Sequence, residues 1–332
     1  MKHIDNPNKI LPFSSVASSR NLSFPASGPL TIPMTNDYLF RALLQRNNKV
    51  LRGLICSLLH FSSDEVTSVE ITNPIELGTS MGDKTFVLDI KVILNDRTII
   101  NLEMQVVNQY NWVERSLSYL CRNFDNLQSG EPYENVKPVI QIGLLNFTLF
   151  PDNPEFYATY QLLNVKNYSL YSDKLRLCVL DLTHINIATE EDRVYQLDYW
   201  ASLFQATTWE ELNMLAQNNE YLEEASATVY QLSQEERVRM ECEAREDYYR
   251  TQRGLQYRLD RQEAEINARN AKLEAQSAEL KKQSAEMEAR SAKIEAQSAE
   301  IEAQSAEIKN LNCKIDKLHT WMKAHGYDPE SI

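Results

Sequence analysis

The sequence predicts an α/β sandwich with a mixed sheet, then a helical accessory region and a long coiled-coil helix at the C-terminal end. Three observations predict this arrangement. Residues 86–107 alternate between apolar and polar side chains, as the two strands of a β-hairpin do. Segments with helical or strand periodicity surround them in the order helix, strand, hairpin, helix, strand. From Leu259 onward, one apolar residue recurs every seven positions, which is typical of a coiled coil.

The composition excludes several classes of protein. The chain has 332 residues and a net charge of −13, which argues against a protein covered by nucleic acid. Much of the acid lies in the last third, so a local basic groove is still compatible with this charge. The five cysteines are scattered without metal or disulfide spacing, and they predict free thiols in a reducing compartment. No apolar run approaches the ~18 residues of a membrane span, so we expect a cytoplasmic protein without membrane contact.

The hairpin's alternation also predicts its register. Directly opposed residues of an antiparallel pair point to the same face, so both apolar sets reach one core only if the loop has an odd length. With residues 95–97 as the loop, Leu94 faces Thr98 and Asp89 faces Glu103. The opposite face of the hairpin then collects two carboxylates, a lysine and an amide.

This polar face has two interpretations. Like charges that oppose each other directly are destabilising, and a cation between them would reverse that effect. Carboxylate oxygens suit Mg²⁺ or Mn²⁺. The alternative is an ordinary solvated sheet face that carries acids. Against this alternative, the face is only partly polar, and no arginine is in place to neutralise the paired acids.

These residues belong to an ordered series of motifs that resembles a known family. An Asp on one strand, followed by Glu-x-Gln on the next, is similar to the PD-(D/E)XK nuclease core. The series looks most like the PD-(D/E)XK nuclease family transposases, the Rpn-type recombination-promoting nucleases. The matching segments cover residues 34–247 and read NDYLF, FVLDIKV, NLEMQ, ERSLSYLCR, GEPY, KPVIQIGLLNF and KLRLCVLDLTHI. The resemblance implies a restriction-endonuclease-like core and a bacterial, mobile-element-like protein that acts on DNA.

The resemblance also implies roles for the residues of the hairpin. Asp89 and Glu103 would hold Mg²⁺ or Mn²⁺, with the backbone carbonyl of Met104 as a third ligand. Gln105 stands where the broader superfamily has a lysine; it can hydrogen-bond but cannot take a proton, so the general base stays unassigned. Lys91 either supplies positive charge for the reaction or forms an ion pair with Asp89.

Two further sets of residues are candidates for the site. Asp37 opens the first predicted helix, where it either stabilises the helix N-terminus or, as the D-x-x-F motif of the family implies, abuts the active site. In the helix predicted over residues 112–127, Arg115, Tyr119 and Arg122 recur every three or four positions and share one face. That face is either solvated or in contact with DNA phosphates, which guanidinium groups match well.

Composition and periodicity divide the chain into four parts. We expect a disordered tail over residues 1–33, since serine, proline and glycine break every period there. The nuclease-like core follows over residues 34–185, then the helical accessory region over 186–250 and the heptad-repeat coiled coil over 251–325.

The heptad repeat predicts a homo-oligomer with a weak seam. If the recurring apolar residues are at position a, polar residues occupy position d until Leu311 and Leu318 make the seam fully apolar. The competing frame places the apolar residues at d and serines at a. A lone helix rich in alanine and glutamate is the alternative to assembly.

The leading hypothesis from the sequence is a metal-dependent DNA endonuclease that hydrolyses phosphodiester bonds. The alternative is a catalytically inactive DNA-binding or coiled-coil assembly protein on the same fold. No residue of the chain supports the strand joining of a true transposase mechanism. The sequence also carries no P-loop and no Gly-rich dinucleotide fingerprint.

Overall fold

A computed structural model describes residues 24–73, 89–217 and 219–326. The chain divides into two compact units, Met1–Gly254 and Leu255–Ile332. The described strands are β1 Val69–Ile71, β2 Ile90–Leu94, β3 Thr98–Gln105, β4 Val139–Leu145, β5 Tyr157–Leu163 and β6 Leu170–Asp181. The described α-helices are α1 Asp37–Arg46, α2 Asn48–Leu59, α3 Trp112–Phe124, α4 Glu190–Val194, α5 Leu197–Gln205, α6 Trp209–Ala216, α7 Glu220–Gln234 and α8 Glu236–Ala324.

The described strands form one mixed sheet in the order β1-β2-β3-β4-β6-β5. The pairs β3–β4 and β4–β6 are parallel, and the remaining pairs are antiparallel. Central strand β4 is buried along its whole length, as the apolar run VIQIGLL predicts. Helices cover both faces of the sheet, so the predicted α/β fold with a mixed sheet is confirmed.

The β2–β3 hairpin has the register that the sequence predicts. Leu94 pairs with Thr98 and Ile90 with Leu102, so Asp89, which directly precedes β2, continues this register opposite Glu103. Asn95 and Asp96 form the turn with φ angles of 51° and 54°, a conformation that their short polar side chains tolerate. The predicted strand residues before Asp89 lie outside the described residues.

One face of the hairpin belongs to the main hydrophobic core. The apolar residues of this face pack with helices α1, α2, α5, α6 and α7 in a single cluster. Phe204 of α5 lies 5.4 Å from Phe40 of α1, measured between ring centroids. The helical accessory region expected over residues 186–250 therefore shares the core of the sheet and does not form a core of its own.

Helix α3 covers the other, polar face. Leu120 packs on Ile99 and Val139, and the ring of Trp112 crosses Gly143 so closely that an added Cβ would lie 2.0 Å from its Cζ2 atom. The side of α3 that is buried consists of Trp112, Ser116 and Leu120. Val113 and Leu117 lie on another side of the helix and are 40% and 48% exposed.

The predicted disordered tail differs from the structure over residues 24–33. Phe24 packs against Trp209 at 5.8 Å between ring centroids, and the Trp209 amide donates to the Gly28 carbonyl at 2.8 Å. Ile32 is buried as well. Apolar side chains and backbone hydrogen bonds together dock this segment on α6. Residues 1–23 lie outside the described residues.

The second unit is the distal part of α8. Its recurring apolar side chains are solvent-exposed in the single chain, from 47% at Ile315 to 73% at Met287. None of the described helices carries an apolar stretch long enough to cross a membrane.

The five cysteines all lie in described parts of the chain and are free thiols, as the sequence predicts.

Candidate functional site

Glu103 lies within electrostatic range of two other acidic side chains, Asp89 and Asp37. Glu103 lies in β3, Asp89 precedes β2 on the opposing strand, and Asp37 is the first residue of α1. Burial raises the pKa of Glu103, the neighbouring Arg115 opposes that rise, and the charges of Asp89 and Asp37 add to it. Both Asp89 and Asp37 therefore disfavour ionisation of Glu103 electrostatically.

Glu103 is paired with an arginine from the helix above it. Arg115 of α3 donates from Nε and Nη2 to Oε1 of Glu103, at 2.8 and 2.7 Å. The other oxygen, Oε2, is buried and has no hydrogen-bond partner among the described residues. The expectation that the acids lack a neutralising arginine is therefore wrong, because α3 delivers one from outside the hairpin.

Asp37 is also paired, and by a distant part of the chain. Arg245 of α8 donates to both of its carboxylate oxygens, from Nε to Oδ1 at 2.9 Å and from Nη2 to Oδ2. Burial disfavours the charge of Arg245, but the Asp37 carboxylate outweighs this effect and raises the pKa of Arg245. The N-cap of α1 is Asn36, which accepts from the amides of Tyr38 and Leu39. Capping is therefore not the main role of Asp37.

Asp89 has the third arginine beside it. Nη1 of Arg41 donates to the Asp89 backbone carbonyl, and Asn73 Nδ2 donates to the same oxygen at 3.0 Å. Oδ1 of Asp89 is buried, and the described part of the chain offers it no hydrogen-bond partner. Burial raises the pKa of Asp89, while its own backbone amide and the charges of Arg41 and Arg115 oppose this rise.

The remaining hairpin candidates lie around this cluster. Gln105 is half-buried and donates from Nε2 to the Val107 carbonyl at 3.2 Å. Lys91 pairs with Asn101 in the register and is half-buried on the same face. Within the described residues it makes no ion pair with Asp89, the alternative role that the sequence suggested.

The backbone of β3 shows where the Met104 carbonyl points. The Ile99 amide donates to the Pro138 carbonyl, and the Asn146 amide donates to the Gln105 carbonyl, so odd-numbered residues of β3 bond to the β4 side. Neighbouring residues of a strand direct their backbone groups to opposite sides. The Met104 carbonyl therefore points toward the β2 side, where Asp89 lies.

Arg115 belongs to a stack of side chains on α3. Its guanidinium carbon lies 5.3 Å from the centre of the Tyr119 ring, and that of Arg122 lies 5.8 Å from the same ring. Burial raises the pKa of Tyr119. The three residues proposed for DNA contact are thus contiguous, but Arg115 turns inward to Glu103 while Arg122 is exposed.

Several residues of the site were missed in the sequence. Asn101 and Gln141 are both fully buried under α3, and Asn101 Nδ2 donates to Gln141 Oε1 at 2.9 Å. A glutamine in the middle of an apolar strand was the visible signal for this pair. Arg41, on the apolar side of a predicted helix, was a weaker signal. Nothing in the sequence distinguished Arg245 from the other charged residues of α8.

Comparison with known proteins identifies the family of the chain. The described residues contain no group of three or more His, Cys, Asp or Glu side chains arranged to hold a metal ion. No curated protein and no solved structure matches the chain significantly. A family model described as PD-(D/E)XK nuclease family transposase matches residues 34–257, which is more than half of the chain and includes every residue of the site above. The chain therefore belongs to the PD-(D/E)XK nuclease family transposases.

Proposed function

We propose that the protein is a metal-dependent DNA endonuclease of the recombination-promoting type, which hydrolyses phosphodiester bonds. The observation that supports this most directly is the pair of buried carboxylate oxygens, Asp89 Oδ1 and Glu103 Oε2. No hydrogen-bond partner for either exists among the described residues. A buried polar group without a partner costs about 1–3 kcal/mol. Two such oxygens on opposed strands therefore favour a role in binding a ligand.

The donor set fits a hard divalent cation, Mg²⁺ or Mn²⁺. Asp89 and Glu103 would supply carboxylate oxygens, and Met104 a backbone carbonyl that points toward the β2 side. Mg²⁺ is commonly held by one or two carboxylates and keeps several waters, so a cluster of three acidic ligands is not required. A divalent ion there would polarise the scissile phosphodiester and lower the pKa of a bound water.

The other residues of the face have narrower roles. Gln105 donates its amide hydrogen to Val107, which leaves its carbonyl oxygen to accept a hydrogen bond from water. Because an amide cannot take up a proton, Gln105 orients the water and the general base is unassigned. Lys91, on the same face, supplies positive charge toward the phosphate.

Helix α3 is the proposed contact surface for DNA. The guanidinium of Arg122 is exposed beside the Tyr119 ring and matches two phosphate oxygens at once. Arg115 continues the same row toward the acids. DNA held along this row would bring its backbone toward Glu103.

Plasmid nicking tests the proposal. We expect the full chain to nick supercoiled DNA with Mg²⁺ or Mn²⁺. Asp89→Asn and Glu103→Gln should each lower the rate by at least about 100-fold, the upper range for loss of supporting groups around a metal. Glu114→Gln, which removes an exposed acid from the first turn of α3, is the matched control and should nick normally. Equal nicking by wild type and Glu103→Gln would refute the assignment.

A second function is favoured by the ion pairs of the site. Arg115 and Arg245 occupy Glu103 and Asp37, which is the arrangement expected of a DNA-binding or assembly protein that has lost catalysis on this fold. That function predicts DNA binding without nicking in any divalent metal. It also predicts that the affinity of Glu103→Gln for DNA is the same with and without a divalent metal.

We also propose that the protein is a homo-oligomer that associates through the heptad repeat of α8. The supporting observation is the exposed apolar series along the helix, which a second copy would cover. The polar residues between its members predict a weak seam as far as Leu311. Sedimentation of the full chain over a range of concentrations measures the association.

A further inference from the structure

We propose that Arg115 is an exchangeable counter-ion, which holds Glu103 when the site contains no metal and moves to a DNA phosphate when metal binds. This inference rests on the proposed nuclease function and adds a switch to it. It makes Arg115 a positioning residue that links the loading of the site to the binding of DNA.

The first step of the argument is the charge balance of the site. Among the described residues, three carboxylates meet three guanidinium groups there, as the pairs or neighbours Arg115–Glu103, Arg245–Asp37 and Arg41–Asp89. The charges of these three pairs cancel when every group is ionised, and Lys91 on the same face adds one positive charge. A divalent ion would add two positive charges to a partly buried cluster, where repulsion is poorly screened. A positive charge must then move away.

The second step identifies which arginine is free to move. Arg41 is 1% exposed and donates to two backbone carbonyls. The side chain of Arg245 is 9% exposed and binds both oxygens of Asp37. Arg115 has a side chain that is 34% exposed, and both of its contacts converge on one oxygen of Glu103. Arg115 has the fewest constraints and the best access to solvent.

The third step identifies its destination. The guanidinium groups of Arg115 and Arg122 both lie over the Tyr119 ring, at 5.3 and 5.8 Å from its centre, so a rotation of the Arg115 side chain toward solvent would bring it into the exposed row of α3. A phosphate offers a guanidinium the same two-oxygen geometry as a carboxylate. DNA would therefore replace Glu103 as the partner of Arg115. Because linkage is reciprocal, metal would then strengthen DNA binding and DNA would strengthen metal binding.

Metal binding without DNA provides the first test. Calorimetric titration of the full chain with Mn²⁺ at pH 8.5 should give a dissociation constant about tenfold or more lower for Arg115→Met than for wild type, because the metal no longer has to displace a charged hydrogen bond from Glu103. Arg122→Met removes the same charge from the same helix and should leave the Mn²⁺ affinity unchanged. Equal or weaker Mn²⁺ binding by Arg115→Met would overturn the inference.

The salt dependence of DNA binding provides the second test. Each phosphate contact contributes about 0.9 to the slope of log K against log salt for a DNA duplex. With Ca²⁺ as a probe ion, the slope for wild type should exceed that for Arg115→Met by about 0.9, whereas the two slopes should agree without metal. A difference of that size already present without metal, or no difference with Ca²⁺, contradicts the exchange.

A third comparison needs no substitution at Arg115. Glu103→Gln releases the arginine without metal, so its metal-free slope should be steeper than that of wild type by about 0.9. Asp89→Asn removes the same negative charge without freeing Arg115 and should keep the wild-type slope. If Glu103→Gln and Asp89→Asn both give the wild-type slope, the inference fails.

These measurements do not depend on cleavage, so they separate the inference from the proposed function. Wild-type protein that fails to nick but shows the Arg115-dependent Mn²⁺ and salt effects retains the switch and loses the enzyme assignment. Absence of Mn²⁺ binding in both wild type and Arg115→Met overturns both.

Discussion

Gly143→Ala should disrupt the docking of α3 on the sheet. The added Cβ would lie 2.0 Å from Cζ2 and 2.6 Å from Cη2 of Trp112. Carbon atoms pack at about 3.5 Å, so the indole must retreat by roughly 1.5 Å. Trp112 is buried and its ring is rigid, so α3 has to move with it. Overpacking of this kind costs about 1–3 kcal/mol, and we expect the upper half of that range.

Urea unfolding of the full chain, followed by circular dichroism, measures this loss as a lower transition midpoint. Because α3 also carries Arg115, nicking should fall in Gly143→Ala even where the protein is folded. Gly254→Ala is the matched control: nothing lies within 4 Å of its added Cβ, and alanine in a helix should stabilise by up to about 1 kcal/mol. A Gly143→Ala midpoint equal to that of wild type would refute the close packing of Trp112 on β4.

Three further predictions concern ion pairs, pH and assembly. Arg245→Met leaves the buried Asp37 carboxylate unpaired and should destabilise the fold by about 3–5 kcal/mol in urea. Glu103 has a pKa above its ordinary 4.5, so the folded state binds its proton more tightly than the unfolded state. In metal-free buffer, the unfolding free energy should therefore fall as pH rises from 4.5 through the raised pKa, and Glu103→Gln should remove this part of the fall. Leu311→Gln should weaken sedimentation-detected association about tenfold or more, since it removes an apolar contact from each copy.

Each of these predictions has its own control. Arg250→Met removes an ion pair whose arginine is 77% exposed, and it should change stability by less than about 1 kcal/mol. An unfolding free energy that falls equally with pH in wild type and in Glu103→Gln would contradict the raised pKa. Cys313→Ser changes an exposed residue of the same helix outside both heptad seams and should sediment as wild type does. If Leu311→Gln also sediments as wild type does, association does not use the heptad seam that contains Leu311.

The hairpin could be predicted to the residue because its information is local. Side chains alternate with a period of two, and the parity of the loop length decides which residues oppose each other. These rules fixed the pairing of Leu94 with Thr98 and placed Asp89 opposite Glu103. The Asn36 cap of α1 rests on equally local chemistry, since an Asx side chain directly before a helix accepts from the amides of its first turn.

The arginines of the site could not be predicted in this way. Arg115 reaches Glu103 because α3 docks on the polar face, and Arg245 reaches Asp37 across 208 positions of sequence. Both depend on how helices pack on the sheet, which no short-range pattern encodes. The same reason explains residues 24–33: their polar composition suggests a tail, but Phe24 and Ile32 dock on a surface formed by distant helices.

The amide pair Asn101–Gln141 has a consequence for the alignment of the two central strands. In the observed pairing, Asn101 lies beside Gln141 and Glu103 beside Gly143. Sliding β4 by two positions would keep every side chain on its face. It would separate the two buried amides from each other, and it would place a residue with a side chain where the indole crosses Gly143. A mispaired sheet is thus penalised twice, by lost amide bonding and by a steric block. Gln141 and Gly143 thus hold β4 in the alignment that positions the Glu103 carboxylate, although neither residue has to take part in a reaction.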